Sequence, residues 1–114
     1  MSAQDAATHR NRIRDLNDAF RKSFSGGQVF LSQGVQSLPS DVCAMALRKV
    51  VTYDAFTQAN DPHGEHDFGS FELAGHKFFW KIDYYAPDLQ GGAENPADPE
   101  KTARVLTIML AAEY

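Results

Sequence analysis

The spacing of apolar positions along the chain shifts between helical and strand-like periods, and each shift marks an element. Ile13, Leu16, Phe20 and Phe24 recur at intervals of 3, 4 and 4 residues, which draws one stripe along a helix. Arg10, Arg12, Arg14, Asp15, Asp18 and Arg21 fall on its other, charged face. Gly26-Gly27 ends it, because glycine is a poor helix former. Val29-Phe30-Leu31, short, apolar and followed by Gly34, predicts a strand. The stretch SLPSDVCAMALRKVVTYDAF then begins with turn chemistry and becomes apolar at helical spacing. Ser37 or Ser40 is the expected cap and Asp41 suits the first turn. Val42, Met45, Ala46, Lys49, Val50 and Tyr53 line the mainly apolar face of this second helix. It is expected to fray between Tyr53 and Phe56, and Asn60-Asp61-Pro62 bars any continuation.

A period of two takes over in HDFGSFELAGHKFFWKIDYY, residues 66–85. A two-residue turn at Ala74-Gly75 pairs Leu73 with His76, Phe71 with Phe78, Gly69 with Trp80, Glu72 with Lys77, Phe68 with Lys81 and His66 with Asp83. Strand side chains alternate, so Phe71, Leu73, Phe78, Trp80, Ile82 and Tyr84 share the core face. Gly69 opposite Trp80 leaves room for the indole. The connector APDLQGGAENPA, residues 86–97, leads to ADPEKTARVLTIMLAAEY, which reads as a closing helix. Asp98 is its N-cap, Pro99 takes the first position, Glu100 complements the dipole, and Val105, Leu106, Met109 and Leu110 form its buried face. The elements predict an α+β fold in the order helix-strand-helix-strand-strand-helix: a small antiparallel sheet of about three strands, with helices over one or both faces. Residues 1–114 are expected to form a single domain, with 1–8 as a flexible N-terminal segment.

Composition narrows the functional classes. The balance of 15 acids against 11 bases leaves a net charge of −4, which argues against a phosphate-binding face and so against a nucleic-acid partner. A single cysteine, Cys43, sits among Val42, Ala44, Met45 and Leu47 and packs as a small apolar side chain rather than a reactive thiolate. The start of the chain, MSAQDAATHRNR, has no apolar run of the kind a secretory signal needs. The apolar stretch near the C-terminus is far too short to span a bilayer. These features predict a cytoplasmic protein with no membrane association.

The densest chemistry lies in NDPHGEHDFG, residues 60–69. His63 and His66 are three apart, with Asp61, Glu65 and Asp67 nearby, and a metal site wants such donors to converge. The order His-Gly-Glu-His on a loop does not match the His-Glu-x-x-His helix of zinc proteases, however. Neighbouring side chains of an extended segment also diverge. The plainer reading has these groups bonding the loop backbone and fixing the start of the hairpin, with no metal and no cofactor. A second possibility is acid–base chemistry: His66 opposite Asp83, with Lys81 and Tyr85 on the same face, gathers titratable groups but lacks an adjacent nucleophile. The third is a binding face, on which Phe68, Phe79 and Tyr85 alternate with Lys77 and Lys81. A helix covering that face would make it a second core layer instead.

At IRDLNDAFR, NDPHGEHDFGSFE, FFWKIDYY and ADPEKTARVLTIMLAAEY the chain resembles a bacterial family known as domain of unknown function 3768. The resemblance spans roughly residues 12–114. It implies a small bacterial protein associated with plasmid-bearing or phage-bearing genomes, and it carries no activity or catalytic residue to transfer. Residues and resemblance together lead to one expectation, a non-enzymatic protein-binding module with a protein partner or a second copy of itself. Its candidate binding residues are His63, Glu65, His66, Phe68, Lys81, Asp83 and Tyr85. The resemblance narrows this to a mobile-element-encoded inhibitor or modulator of a host defence complex, of anti-restriction or anti-CRISPR type, or of a DNA-processing complex. The alternative is a small metal-dependent hydrolase or nuclease using the loop 61–67.

Overall fold

The computed structural model describes residues 3–114. Helix α1 runs over Ala3–Ser23, strand β1 over Gly27–Leu31, the one-turn helix α2 over Gln33–Gln36 and helix α3 over Ser40–Val51. Strands β2, Phe68–Leu73, and β3, His76–Tyr85, form the hairpin. A 3-10 turn at Pro99–Lys101 leads into β4, Ala103–Leu110, and a last 3-10 turn occupies Ala111–Glu113. The N-terminal segment is thus helical from Ala3, and residues 1 and 2 lie outside the described residues.

The hairpin forms in the expected register. Leu73 faces His76, Phe71 faces Phe78, Gly69 faces Trp80 and Phe68 faces Lys81. Ala74 and Gly75 have φ of 53° and 79°, the doubly left-handed turn whose twist suits a two-residue hairpin. A Cβ on Gly69 would lie 2.4 Å from Trp80 Nε1 and 2.8 Å from Tyr53 Cζ, so the missing side chain is what admits the indole.

The largest correction concerns the end of the chain. Residues 103–110 are a strand rather than part of a closing helix, and the sheet has four strands in the order β1-β4-β3-β2. It is also mixed: β4 pairs antiparallel with β3 but parallel with β1. The local helix signals are real, since Asp98 Oδ1 accepts from Glu100 N at 3.0 Å and Pro99 opens the turn, but they stop after one 3-10 turn. An eight-residue apolar run fits either period, and here pairing on both edges decides. Arg104, Leu106, Ile108 and Leu110 take one face, while Val105, Thr107 and Met109 take the other.

Two smaller corrections follow from contacts across the fold. α3 has Pro39 at its N-cap and no side-chain cap, so neither Ser37 nor Ser40 serves there, whereas Ser32 Oγ caps α2 through Val35 N at 3.3 Å. On α1, Arg21 leaves the charged face and is only 1% exposed, buried beside Phe20 and Asn17. Phe24 lies past the end of the helix, at φ 57°.

The core sits on one side of the sheet. Phe78, Trp80, Ile82, Leu106 and Ile108 meet Phe20 of α1, Val35 of α2 and Val42, Ala46 and Val50 of α3. All the α-helices among the described residues therefore cover the same face. No helix among the described residues is long and apolar enough to cross a membrane.

Candidate functional site

The loop between α3 and β2 is organised around His66. Asp61 folds back so that both its carboxylate oxygens accept from His66 N at 3.3 Å, and Gly64 N donates to Asp61 O at 3.0 Å. His66 is held at φ 55°, a left-handed conformation that costs a non-glycine residue roughly 1 kcal/mol. Its ring is fixed in return. Nδ1 lies 3.0 and 3.1 Å from the two oxygens of Asp18 on α1, Nε2 lies 3.7 Å from Asp61 Oδ2, and Phe56 stacks on it at 3.8 Å.

Asp18 also accepts from Arg21 Nη2 at 3.1 Å. Arg21 Nη1 in turn donates to the carbonyls of Val50 at 2.7 Å, Val51 at 3.3 Å and Tyr53 at 2.9 Å. This guanidinium closes the C-terminus of α3, where unpaired carbonyls and the helix dipole both favour a cation. It also lies over the rings of Phe56 and Trp80, at 5.4 and 5.5 Å. His66 is thus a joint between α1, the end of α3 and the loop.

A second polar group lies behind it. Asn17 Nδ2 donates to Glu65 O at 3.0 Å and to Tyr84 Oη at 2.7 Å, and Tyr84 Oη donates to Glu65 Oε1 at 2.9 Å. Arg104 Nε donates to Asn17 Oδ1 at 2.8 Å, and its Nη2 donates to Pro96 O. Burial, and then the nearby carboxylates Asp67 and Glu65, push the Tyr84 phenol far above its ordinary value. Burial also lowers Arg104 and raises Asp67, the latter reinforced by Glu65. Among the described residues Asp67 makes no ion pair.

These contacts draw the donors of the loop in different directions. Glu65 points to Tyr84, His66 points to Asp18, and His63 lies exposed on the outer turn. Among the described residues no three His, Cys, Asp or Glu side chains come together to hold a metal ion. A groove of about 280 Å³ beside His66 is lined by Asp18, Arg21, Lys22, Tyr53, Asp54 and Phe56, none of which is a serine or cysteine nucleophile. The expected His66–Asp83 pair does not exist either. β2 starts at Phe68, His66 turns away towards α1, and Asp83 pairs with Lys81 Nζ at 3.0 Å, a bond that raises the lysine's pKa.

The remaining candidates share the sheet face that no α-helix among the described residues covers. Phe68, Phe79, Lys81, Asp83 and Tyr85 all lie there, joined by Phe30 of β1 and by Val105, Thr107 and Met109 of β4. Phe68 and Phe79 rings pack at 5.3 Å, and Lys77 Nζ sits 5.5 Å from the Phe79 ring. Tyr114 lies edge-on to both phenylalanines, at 6.1 and 5.4 Å, yet remains 76% exposed. Glu113 fixes that last turn by accepting from Ser32 Oγ at 2.6 Å, Leu110 N at 2.8 Å and Gly34 N at 3.0 Å, which hold its carboxyl below the usual range.

Sequence reasoning missed Asn17, Asp18, Arg21 and Phe56 around His66, and Phe30 and Tyr114 on the open face. One signal was available. Asn17 is four residues after Ile13 and three before Phe20, so a polar side chain interrupts the buried stripe of α1. Neither the curated proteins nor the solved structures contain a match to this chain. The family described as Protein of unknown function (DUF3768) matches residues 31–113, which takes in α2, α3, the His66 loop and β2 to β4. On a match of that extent, the chain belongs to the DUF3768 family.

Proposed function

We propose that the protein is a cytoplasmic, non-enzymatic binding module whose working surface is the sheet face opposite the helices. One observation carries this reading: every α-helix among the described residues packs on one side, and the opposite face carries aromatic and charged residues, half-buried at Phe68, Phe79, Lys81 and Tyr85, with no α-helix of the described residues over them. Phe30 is 52% exposed there, and single-layer faces of this composition are what protein interfaces are made from. The mixture of Phe68, Phe79, Tyr85 and Tyr114 with Lys77, Lys81 and Asp83 suits a protein partner. The formal charge of −4 disfavours nucleic acid. His66, engaged with Asp18 and stacked on Phe56, serves in this reading as the brace of the loop rather than as a base.

The test is site-specific photo-crosslinking in the native host. A crosslinking residue placed at Phe30 or Tyr85 should capture the same partner, while one placed at Ala44 or Lys22, on the helical side, should not. Capture from the helical positions alone would overturn the reading. The narrower reading drawn from the resemblance, action against a host defence or DNA-processing complex, expects the chain supplied in trans to raise plasmid establishment in a restricting host. Its face variant Phe79→Ser should lose that effect.

A further inference from the structure

β2 is an outer strand, and its free backbone has a defined parity. Ile82 N donates to Asp67 O at 2.8 Å, so residues 67, 69, 71 and 73 turn their amides and carbonyls towards β3. Phe68, Ser70 and Glu72 aim theirs outwards, and none of these groups bonds to a loop backbone among the described residues. Little guards this edge: Phe68–Leu73 contains no proline, no lysine and no break in register, and Glu72 is its one charge.

Two copies of this strand can pair in a register centred on Ser70. With a two-fold axis through Ser70, Ser70 faces itself and Phe68 faces Glu72 of the second copy. All the outward-facing residues then fall in hydrogen-bonded pairs. The same register sets Asp67 opposite Leu73 of the second copy. Leu73 lines a groove of about 290 Å³ with Met45, Arg48, Lys49 and Thr52 of α3. Arg48 and Lys49 are exposed, and neither they nor Asp67 make an ion pair among the described residues. On the open face the row across the junction reads Lys81, Phe68, then Glu72 and Lys77 of the second copy, with no like charges adjacent.

We propose that the protein forms a two-fold dimer in which the β2 strands pair about Ser70, setting each Asp67 carboxylate against Arg48 and Lys49 of the other copy. The two sheets then join into one, and the open faces become a single surface of twice the width. A second copy fits the edge better than a foreign strand because one register satisfies both backbone parity and charge.

Sedimentation velocity over micromolar to millimolar concentrations tests this. The parent chain should shift from monomer to dimer. Ser70→Pro removes an N–H that faces only the second copy, so it should weaken the dimer at least about tenfold while circular dichroism and melting, both read at dilutions where the parent is monomeric, stay unchanged. Ser70→Lys, which brings two ammonium groups face to face, should act alike without any proline strain. Arg48→Glu with Lys49→Glu should weaken association, and adding Asp67→Lys to that pair should restore it. A chain that is monomeric at every concentration overturns the proposal. So does a dimer that both Ser70 variants leave intact, which would place the contact on another surface. Either failure leaves the crosslinks from Phe30 and Tyr85 unaffected, so the two readings fall separately.

Discussion

Arg21 shows how much one buried side chain can join. Its guanidinium satisfies carbonyls at the end of α3, pairs with Asp18 and through it orients His66. Arg21→Met keeps the volume but strands those carbonyls and Asp18, so urea denaturation should report a loss of about 3 kcal/mol or more. Gly69→Ala drives a methyl into Trp80 and Tyr53 and should cost about 1–3 kcal/mol by the same measurement. Asp67 has the opposite sign. A carboxyl whose folded pKa is raised favours the fold below its unfolded value, and that contribution is lost as pH climbs through the folded pKa. Asp67→Asn should therefore raise the urea midpoint at pH 7 in dilute solution, with the gap closing as pH falls to the ordinary 3.8. At this scale the sequence was partly legible. Gly69 facing Trp80 follows from strand alternation and a two-residue turn, both local rules. Arg21 was assigned to the charged face because its partners, Val50 and Tyr53, lie some 30 residues away.

At the scale of elements, α1, α3 and the hairpin were readable because each has a clear period and nearby stop signals. β4 was not. Its run of Arg104 to Leu110 satisfies a helical face as well as an alternating one, and Asp98-Pro99-Glu100 correctly announces a turn that ends after Lys101. The strand wins because it bonds to β3 on one edge and β1 on the other, contacts that no local window contains. Val105→Ala and Thr107→Ala discriminate. In a helix both would be neutral or stabilising, whereas in this central strand each should cost about 0.5–1 kcal/mol in chemical denaturation. His66 and Asp83 never met because the chain turns left-handed at His66 and carries its ring to Asp18 before β2 begins.

Over the whole molecule, the sheet divides residues of similar character into two energetic classes. Phe78, fully buried under the helices, should cost about 3–5 kcal/mol when changed to Ala. Phe30→Ser, on the open face, should change stability by about 0.5 kcal/mol at most, measured by the same denaturation curves. Equal losses at the two positions would contradict the one-sided packing from which the proposed surface is drawn. By itself the sequence determined the amphipathic stripe of α1, the Val42, Ala46 and Val50 line of α3 (though Met45 and Lys49, expected beside it, face solvent), the hairpin register and the polar loop entering it. All of these depend on residues a few positions apart and on the intrinsic geometry of glycine, proline and alternating strands. Only the tertiary structure decided that the last element is a strand, that β1 lies parallel beside it and that every α-helix among the described residues packs on one face. It also decided that Asp18 and Arg21 meet His66. Those outcomes depend on pairing and burial between segments far apart in the chain, where one apolar run can satisfy either period until its neighbours are in place.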